Sequence, residues 1–577
     1  MGKTWTEEQQ QVIQLNDRSL LVSAAAGSGK TAVLVERIIQ KITSKYRPID
    51  IDQLLVVTFT KAAAAEMRER IMLTIDKKLE DDPENQHLQK QKMLIPSAMI
   101  TTIDSFCMSI LREHFDAIDL DPGFRVGDPQ EMTLLKQDVA EQLLEDFYTE
   151  GTQEFLDFAA AYSRGKLDQG LVEWIIKIYD FSQSYPWPEK WIEDALRYNP
   201  AIVDENEGDN SITGSVLDET YGILEEMNAN IQMALSEASK ETGPKLYLPM
   251  LENDWLQIQY MMRIKDYYHM YEAIQKMKWE RLSGKKQPDA DPDSIKAVKD
   301  LRQEAKDLYG WLKKNYYTDD PESMLEKERR ILPGLLVLIQ LAREFSKRFQ
   351  EEKRARNMID FNDQEHFALR ILLDEDMKAT DIAKSYRERF EEIMCDEYQD
   401  SNQVQETLLT SISREEDGKP NIFVVGDVKQ SIYRFRLAEP EIFLNKYDTY
   451  TKEESKHQRI DLHKNFRSRA CVLNGINQIF SHLMTPAVCG MSYDQDAALY
   501  PGLDYGNTDH PVAESAEWML VEHNNDKEIT KREAEAKAVG MRIREMMDPE
   551  NGLWIMDSET GNTVRQIMVM SLFFCVQ

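Results

Sequence analysis

The sequence predicts an α/β fold: a parallel-sheet domain split by a large helical insertion, followed by the start of a second α/β domain. Three observations carry this. Over Ser19 to Thr31 an apolar run leads through a small-residue loop into a helical pattern reaching Ile42. Strand-like and helix-like patterns alternate over residues 1–125 and again from about residue 358, the mark of a parallel sheet. Between them, residues 126–357 show apolar residues at helical spacing, dense charge and few strand-like runs.

The first strand delivers the most specific chemistry. Ala24-Ala25-Ala26-Gly27-Ser28-Gly29-Lys30-Thr31 is a phosphate-binding loop in its proper setting, strand then loop then helix. Gly27 and Gly29 let the backbone curl so that successive N–H groups face phosphate oxygens. The helix N-terminus adds partial positive charge. Lys30 can reach the β- and γ-phosphates, and the Thr31 hydroxyl can ligate Mg²⁺. Ala24 stands where the usual pattern has its first glycine.

Asp52 to Thr60 is a near-continuous apolar run, as a strand buried on both faces requires, and a helix is expected over Ala62 to Lys78. Ala98 to Ile103 reads as a strand leading into a helix from Ser105 to Phe115. In the insertion, Pro186, Pro188, Asp204 to Thr213 and Gln287 to Ser294 mark loops. Two stretches there, Lys276 to Lys286 with Trp279 and Lys347 to Arg356, mix basic and aromatic residues as nucleic-acid contacts do. Strands then return at Phe390 to Cys395, Asn421 to Val425 and Arg459 to Leu462, with a helix from Ser468. Past about residue 485 the chain reads as loop-rich, with strands at Ala516 to Glu522 and Ile567 to Val576 and a helix at Lys531 to Met547. The expected division is 1–125 and 358–455 for the first domain, 126–357 for the insertion and 456–577 for the start of the second.

Of 577 residues, 102 are acidic and 70 basic, a net charge of −32. That opposes polyanion binding by the whole surface and leaves room only for a local basic stripe. The five cysteines are scattered without a C-x-x-C pair, which fits a reducing compartment and neither a disulfide framework nor a zinc site. No apolar stretch has the length of a membrane span, and no signal peptide opens the chain, so a cytoplasmic protein without membrane contact is expected.

A phosphate loop needs a carboxylate for the metal and a group to activate water. Asp396-Glu397, ending an apolar strand, supply both: Asp396 for Mg²⁺ and Glu397 for water.

These segments, in this order, resemble the motifs of superfamily 1 helicases of the UvrD/RecB branch, and within it the AddA (RexA) type of helicase–nuclease subunit. The resemblance implies RecA-like motor domains of the phosphate-loop NTPase fold, with ATP and Mg²⁺ as cofactors. It makes Gln9, in Thr6-Glu7-Glu8-Gln9, the adenine reader, and makes Ala24 normal in its place. It assigns Thr58, Phe59, Thr60 and Lys61 to a motif lining a single-strand channel. Thr102, Ser105 and Phe106 fall in the next DNA-contacting motif, where Asp104 replaces the usual histidine. Asp396 to Asp400 (DEYQD) is motif II, and Gly426 to Arg436 is motif III. There Gln430 would sense the γ-phosphate and Tyr433 and Phe435 would stack on bases. Asn465-Phe466-Arg467-Ser468 is motif IV, and Met358 to Asp363 matches a segment preceding motif II. Arg436 and Arg467 would reach the nucleotide phosphates.

The implied activity is 3′→5′ ATP-dependent DNA unwinding in bacterial double-strand-break repair. The implied partners are single-stranded and duplex DNA and an AddB (RexB)-type subunit. Motifs V and VI and the family's nuclease domain are not found in the sequence, so the chain reads as the front half of a longer protein, able to bind ATP–Mg²⁺ with weak hydrolysis. The alternatives are a plain UvrD-like helicase without nuclease and a nucleotide-gated DNA-binding scaffold.

Overall fold

The computed structural model describes residues 5–44, 46–163, 168–195, 212–485, 489–503, 519–522, 530–548, 550, 552, 554–556 and 563–565. The chain divides into two compact units, one of Met1–Leu120 with Gln364–Gln577, the other Asp121–Asp363.

The first unit is built on a six-stranded, wholly parallel sheet. Its strands are β1 (Ser19–Ala24), β2 (Leu54–Thr58), β3 (Met99–Thr102), β4 (Glu392–Cys395), β5 (Ile422–Gly426) and β6 (His457–Leu462), in the order β3-β2-β4-β5-β1-β6. Every residue of β2, β4 and β5 is buried, and apart from Glu392 and Thr58 none carries a polar side chain. Because all strands point the same way, all their C-terminal ends open on one edge, where open α/β sheets bind ligands.

The boundary expected at residue 456 falls differently. β6 pairs in parallel with β1 from Ser19↔His457 to Ala24↔Leu462, completing the first sheet rather than starting another. Register explains it: the apolar positions Ile460 and Leu462 are buried in the core that β1 and β5 already form. Of the strand expected at Ala516 to Glu522, residues 516–518 lie outside the described residues and 519–522 carry no strand. The strand at Ile567 to Val576 lies outside them entirely. Ile212 and Thr213, expected in a loop, open the helix Ile212–Ser239.

A buried ion pair holds the base of this sheet. Arg37, on the helix Lys30–Ile42, is wholly buried and donates to both oxygens of Glu392 at the start of β4, at 3.0 and 2.5 Å. A third N–H reaches the Val12 carbonyl, and the guanidinium lies 4.8 Å over the Phe423 ring. Arg37 and Lys41 hold Glu392 below the ordinary carboxylate range although burial opposes them. One arginine thus fixes the phosphate-loop helix against the strand that ends in Asp396-Glu397.

The second unit is helical. Helices Pro129–Glu150, Gln153–Tyr162, Gln169–Ser182 and the long Pro321–Ala355 bury one core, with Leu143, Phe155, Ile175, Phe345 and Phe349 inside it. Helices Ile212–Ser239, Leu248–Met261, Tyr267–Lys276 and Pro292–Tyr316 bury a second around Leu224, Ile258, Met270 and Leu312. Arg125–Val126 pairs in parallel with Met358–Ile359 where the chain enters and leaves the unit. Lys353, wholly buried, sits 4.4 Å over the Phe349 ring and bridges Asp360 at 3.0 Å and Asp363 at 2.6 Å.

Candidate nucleotide site and aromatic platform

Ala24 is the buried last residue of β1, so the loop proper begins at Ala25. Gly27 (φ +72°) and Gly29 (φ +82°) take left-handed backbone, which glycine adopts without steric cost. Gly29 caps the helix beginning at Lys30. At Gly27 space is also decisive, since a Cβ would lie 2.6 Å from the Asn465 side chain.

Asn465 clamps the loop. Its Nδ2 donates to the Ala26 carbonyl at 2.6 Å, and its Oδ1 accepts the backbone N–H groups of Arg467 (2.8 Å) and Ser468 (2.7 Å). The Phe466 N–H donates to the Gly27 carbonyl at 2.8 Å. Arg467 is thereby carried beside the loop as an exposed residue. Gln9 approaches from the other side. Its Nε2 donates to the Ser28 carbonyl at 3.0 Å, and its Oε1 accepts the Thr6 N–H, closing a capping box on the helix Glu7–Gln14. Both ends of its amide are engaged with backbone. Among the described residues the buried Ser28 hydroxyl has no hydrogen-bond partner.

Lys30 Nζ donates to Glu397 Oε2 at 2.9 Å. Glu397 itself is held in left-handed backbone (φ +51°), an uncommon conformation for a non-glycine residue. Asp396 Oδ1 accepts the Glu397 N–H at 3.0 Å. Burial and the adjacent Glu397 push the Asp396 carboxyl up to about 6, against the pull of Lys30, and the same two causes raise Asp400 to about 6. The candidate metal donors, the Thr31 hydroxyl and the Asp396 carboxylate, are oxygen only. That is the chemistry of a hard ion such as Mg²⁺, and the residues fit it.

Gln399, which the sequence did not single out, joins motif II to motif III. Its Nε2 donates to Glu397 Oε2 at 2.9 Å, and its Oε1 accepts the Asp427 N–H at 3.0 Å. Gly426 makes room, because a Cβ there would collide with Gln399 Oε1. The available signal was the Gly-Asp pair closing β5 on the same edge as Asp-Glu. Asp427 in turn gathers Lys429 (2.8 Å) and Gln430, whose Nε2 donates to Oδ2 at 2.8 Å.

The chain then turns into an exposed aromatic patch. Phe59, just past β2, and Tyr433 have ring centroids 4.9 Å apart, and Tyr433 and Phe435 5.8 Å. Phe435 is 77% exposed. Arg436, expected toward nucleotide phosphates, lies over the rings of Tyr433 (5.2 Å) and Phe435 (5.7 Å). Lys61 is exposed at a helix start capped by Thr60, whose hydroxyl accepts the Ala63 N–H. Thr58 is buried, its hydroxyl donating to the Thr60 carbonyl at 3.0 Å. Thr102 caps the helix Ile103–Glu113 by accepting the Ser105 N–H at 3.3 Å.

Phe106 requires a correction. It is wholly buried, with Tyr386 and Phe390 at 5.9 and 6.1 Å, and is a core residue with no surface to offer DNA. The helix starts at Ile103, two residues before the expected Ser105, and Phe106 belongs to its buried set. Burial, with a smaller push from Asp104, raises the Glu365 carboxyl to about 7, and that carboxyl accepts from Gln405 at 2.8 Å.

A parallel sheet with a glycine loop after β1 and a lysine-paired Asp-Glu after β4 defines a phosphate-loop nucleotide-binding domain. The chain belongs to the UvrD/REP helicase family, whose N-terminal domain model matches residues 5–451. It is similar to an ATP-dependent helicase/nuclease subunit, the A component, of Lachnoclostridium phytofermentans, 44% identical over 96% of this chain and 43% of that protein. The proteins of the same name from Clostridium perfringens (strain ATCC 13124) and Bacillus cytotoxicus are 39% and 38% identical over 97% and 98% of this chain. The chain spans less than half the length of these relatives, 43–47%. Among the described residues no helix is long and apolar enough to cross a membrane.

Proposed function

We propose that this chain is the ATP-binding, DNA-gripping portion of an ATP-dependent DNA helicase of the helicase–nuclease type. It would work with Mg²⁺ in the bacterial cytoplasm, beside an AddB-type subunit. The observation that carries the reading is the line Lys30–Glu397–Gln399–Asp427. It runs from the phosphate loop to the start of the segment bearing Tyr433 and Phe435.

In this reading a γ-phosphate competes with Glu397 for Lys30, freeing the carboxylate to accept a proton from water. Thr31 and Asp396 would hold Mg²⁺, which would supply positive charge to offset that of the nucleotide phosphates. The Glu397 carboxylate shares an oxygen with Lys30 and Gln399, so moving Lys30 changes the load on Gln399 and on the Asp427 backbone. Arg467, brought to the loop by Asn465, supplies a cation from the far side. Phe59, Tyr433 and Phe435 grip single-stranded DNA by stacking, which tolerates any base.

Titrating oligo(dT) with and without a non-hydrolysable ATP analogue and Mg²⁺ tests this. A nucleotide-dependent change in DNA affinity is expected, within the roughly 5–150-fold range of ordinary coupling. Lys30→Ala should abolish the change, and Phe435→Ala should weaken DNA in both conditions. DNA affinity indifferent to nucleotide and to Phe435→Ala would sink the reading.

A further inference from the structure

The end of β6 gathers a cluster that the nucleotide chemistry does not use. Asp461 is the penultimate residue of that strand, and His463 follows two residues later. Asp496 comes from an exposed turn further along the chain. One donor atom from each, a carboxylate oxygen or a ring nitrogen, lies within 4.8 Å of the other two.

Backbone bonds hold the two segments together. The Tyr500 N–H donates to the His463 carbonyl at 3.1 Å, and the Gly502 N–H to the Asn465 carbonyl at 2.7 Å. Asp494 closes the turn that carries Asp496, its Oδ1 accepting the N–H groups of Asp496 (2.9 Å) and Ala497 (3.1 Å).

Surface carboxylates commonly meet without any ligand. Asp461 is not of that kind. It is 8% exposed, and among the described residues neither of its carboxylate oxygens accepts a hydrogen bond. Its charge is offset by Lys452 Nζ at 3.2 Å and Arg459 Nε at 3.4 Å. Arg459 is committed elsewhere, 3.7 Å over the Tyr447 ring and donating to the Tyr447 carbonyl at 2.7 Å. Lys452 is not. It also pairs with Asp496 at 2.7 Å, and 47% of its side chain is exposed. The group that links the two carboxylates is thus a flexible ammonium with an open path to water. A buried carboxylate without hydrogen bonds keeps its lone pairs for a stronger cation.

We propose that Asp461, His463 and Asp496 form a site for a divalent transition-metal ion of the Zn²⁺ type, which binds by displacing the Lys452 ammonium. Neither DNA nor nucleotide is needed for it. An imidazole with two carboxylates suits such an ion, whereas the oxygen-only pair of Thr31 and Asp396 suits Mg²⁺. Bonds of about 2.0–2.2 Å require the three donors to close by less than about 1 Å. The two carboxylates balance the charge of the ion, and a water completes the coordination on the exposed Asp496 side. The bound ion staples the Asp496 turn to the strand that runs on into Asn465, the clamp of the phosphate loop.

The test is isothermal titration of Zn²⁺ into the chelator-treated full chain with Mg²⁺ in large excess, and thermal melting verifies the fold of each variant. Saturable binding of one Zn²⁺ per chain is expected, and Asp396→Asn should retain it. His463→Ala should weaken it by more than about 100-fold, since losing even an outer partner of a metal ligand costs about 10–100-fold. Asp461→Asn should act in the same direction. Lys452→Ala should tighten binding, because it removes the competing cation. In hydrogen exchange, Zn²⁺ should slow the Tyr500 and Gly502 amides of the parent and not those of His463→Ala. Absence of saturable binding overturns the site, as does equal affinity in His463→Ala or weaker affinity in Lys452→Ala. Loss of Zn²⁺ binding in Asp396→Asn assigns the ion to the nucleotide site and also overturns it.

Discussion

Both units bury charge, and they bury it differently. In the helical unit Lys353 is enclosed by Asp360, Asp363 and the Phe349 ring, and Arg302 by Asp254, the Glu280 carbonyl and Trp279. These cations are committed. In the sheet unit Arg37 is committed in the same way, but Lys30 is not. Its partner Glu397 keeps 36% of its side chain exposed and shares its pairing oxygen with Gln399. A buried pair without spare valence is structural. A pair at a strand's carboxyl end, partly exposed and sharing its oxygens, can be exchanged for a ligand.

The contrast can be broken most severely at Arg37. Arg37→Met leaves the buried Glu392 to Lys41, 3.4 Å away, and should cost about 3–5 kcal/mol, seen as early exchange of β1 and β4 amides. Lys353→Met should cost about as much in the helical unit and leave β1 protected. If either variant melts no earlier than the parent, committed pairs are not what holds these units.

Lys30→Ala should behave oppositely. On the proposed function, losing Lys30 as a phosphate ligand should lower ATP turnover by on the order of 10²–10³. Denaturant stability should shift by no more than about 1 kcal/mol, since the pair is partly exposed. A stability loss matching that of Arg37→Met would erase the distinction between committed and exchangeable pairs.

Asp396 sharpens it. Its carboxyl ordinarily titrates at 3.8 and is held at about 6. Below about pH 4 it is protonated folded or unfolded, and that contribution to stability is fully present. The contribution is lost as pH rises through about 6 and stays lost above it. Asp396→Asn should therefore stabilise the protein at pH 7.5, by about 2–3 kcal/mol in chemical denaturation, while impairing Mg²⁺-dependent nucleotide binding. Destabilisation would make Asp396 a structural partner instead. The smallest effect is expected at the exposed platform: Phe435→Ala should cost about 1–3 kcal/mol per stacked base in oligo(dT) affinity and leave melting unchanged.

Much of this was legible in advance. Strand β2 is buried at every position and, Thr58 apart, is an apolar run, and Gly27, Gly29 and Lys30 announce themselves by spacing. Phe106 was misjudged because its neighbours in sequence suggest a DNA motif, whereas its neighbours in space, Tyr386 and Phe390, lie some 280 residues on. Gln399 and Asn465 were not legible as couplers, since their partners Asp427 and Ala26 are distant in sequence.

By itself the sequence determined the α/β class, the phosphate loop, the Asp-Glu pair and the helical character of residues 126–357. These depend on local periodicity and on residue types whose chemistry does not wait for neighbours. Tertiary structure decided which strand completes the sheet, which cation is committed and which exchangeable, and which aromatics face water. Those outcomes depend on register, burial and shared hydrogen bonds between segments hundreds of residues apart, which no local pattern encodes.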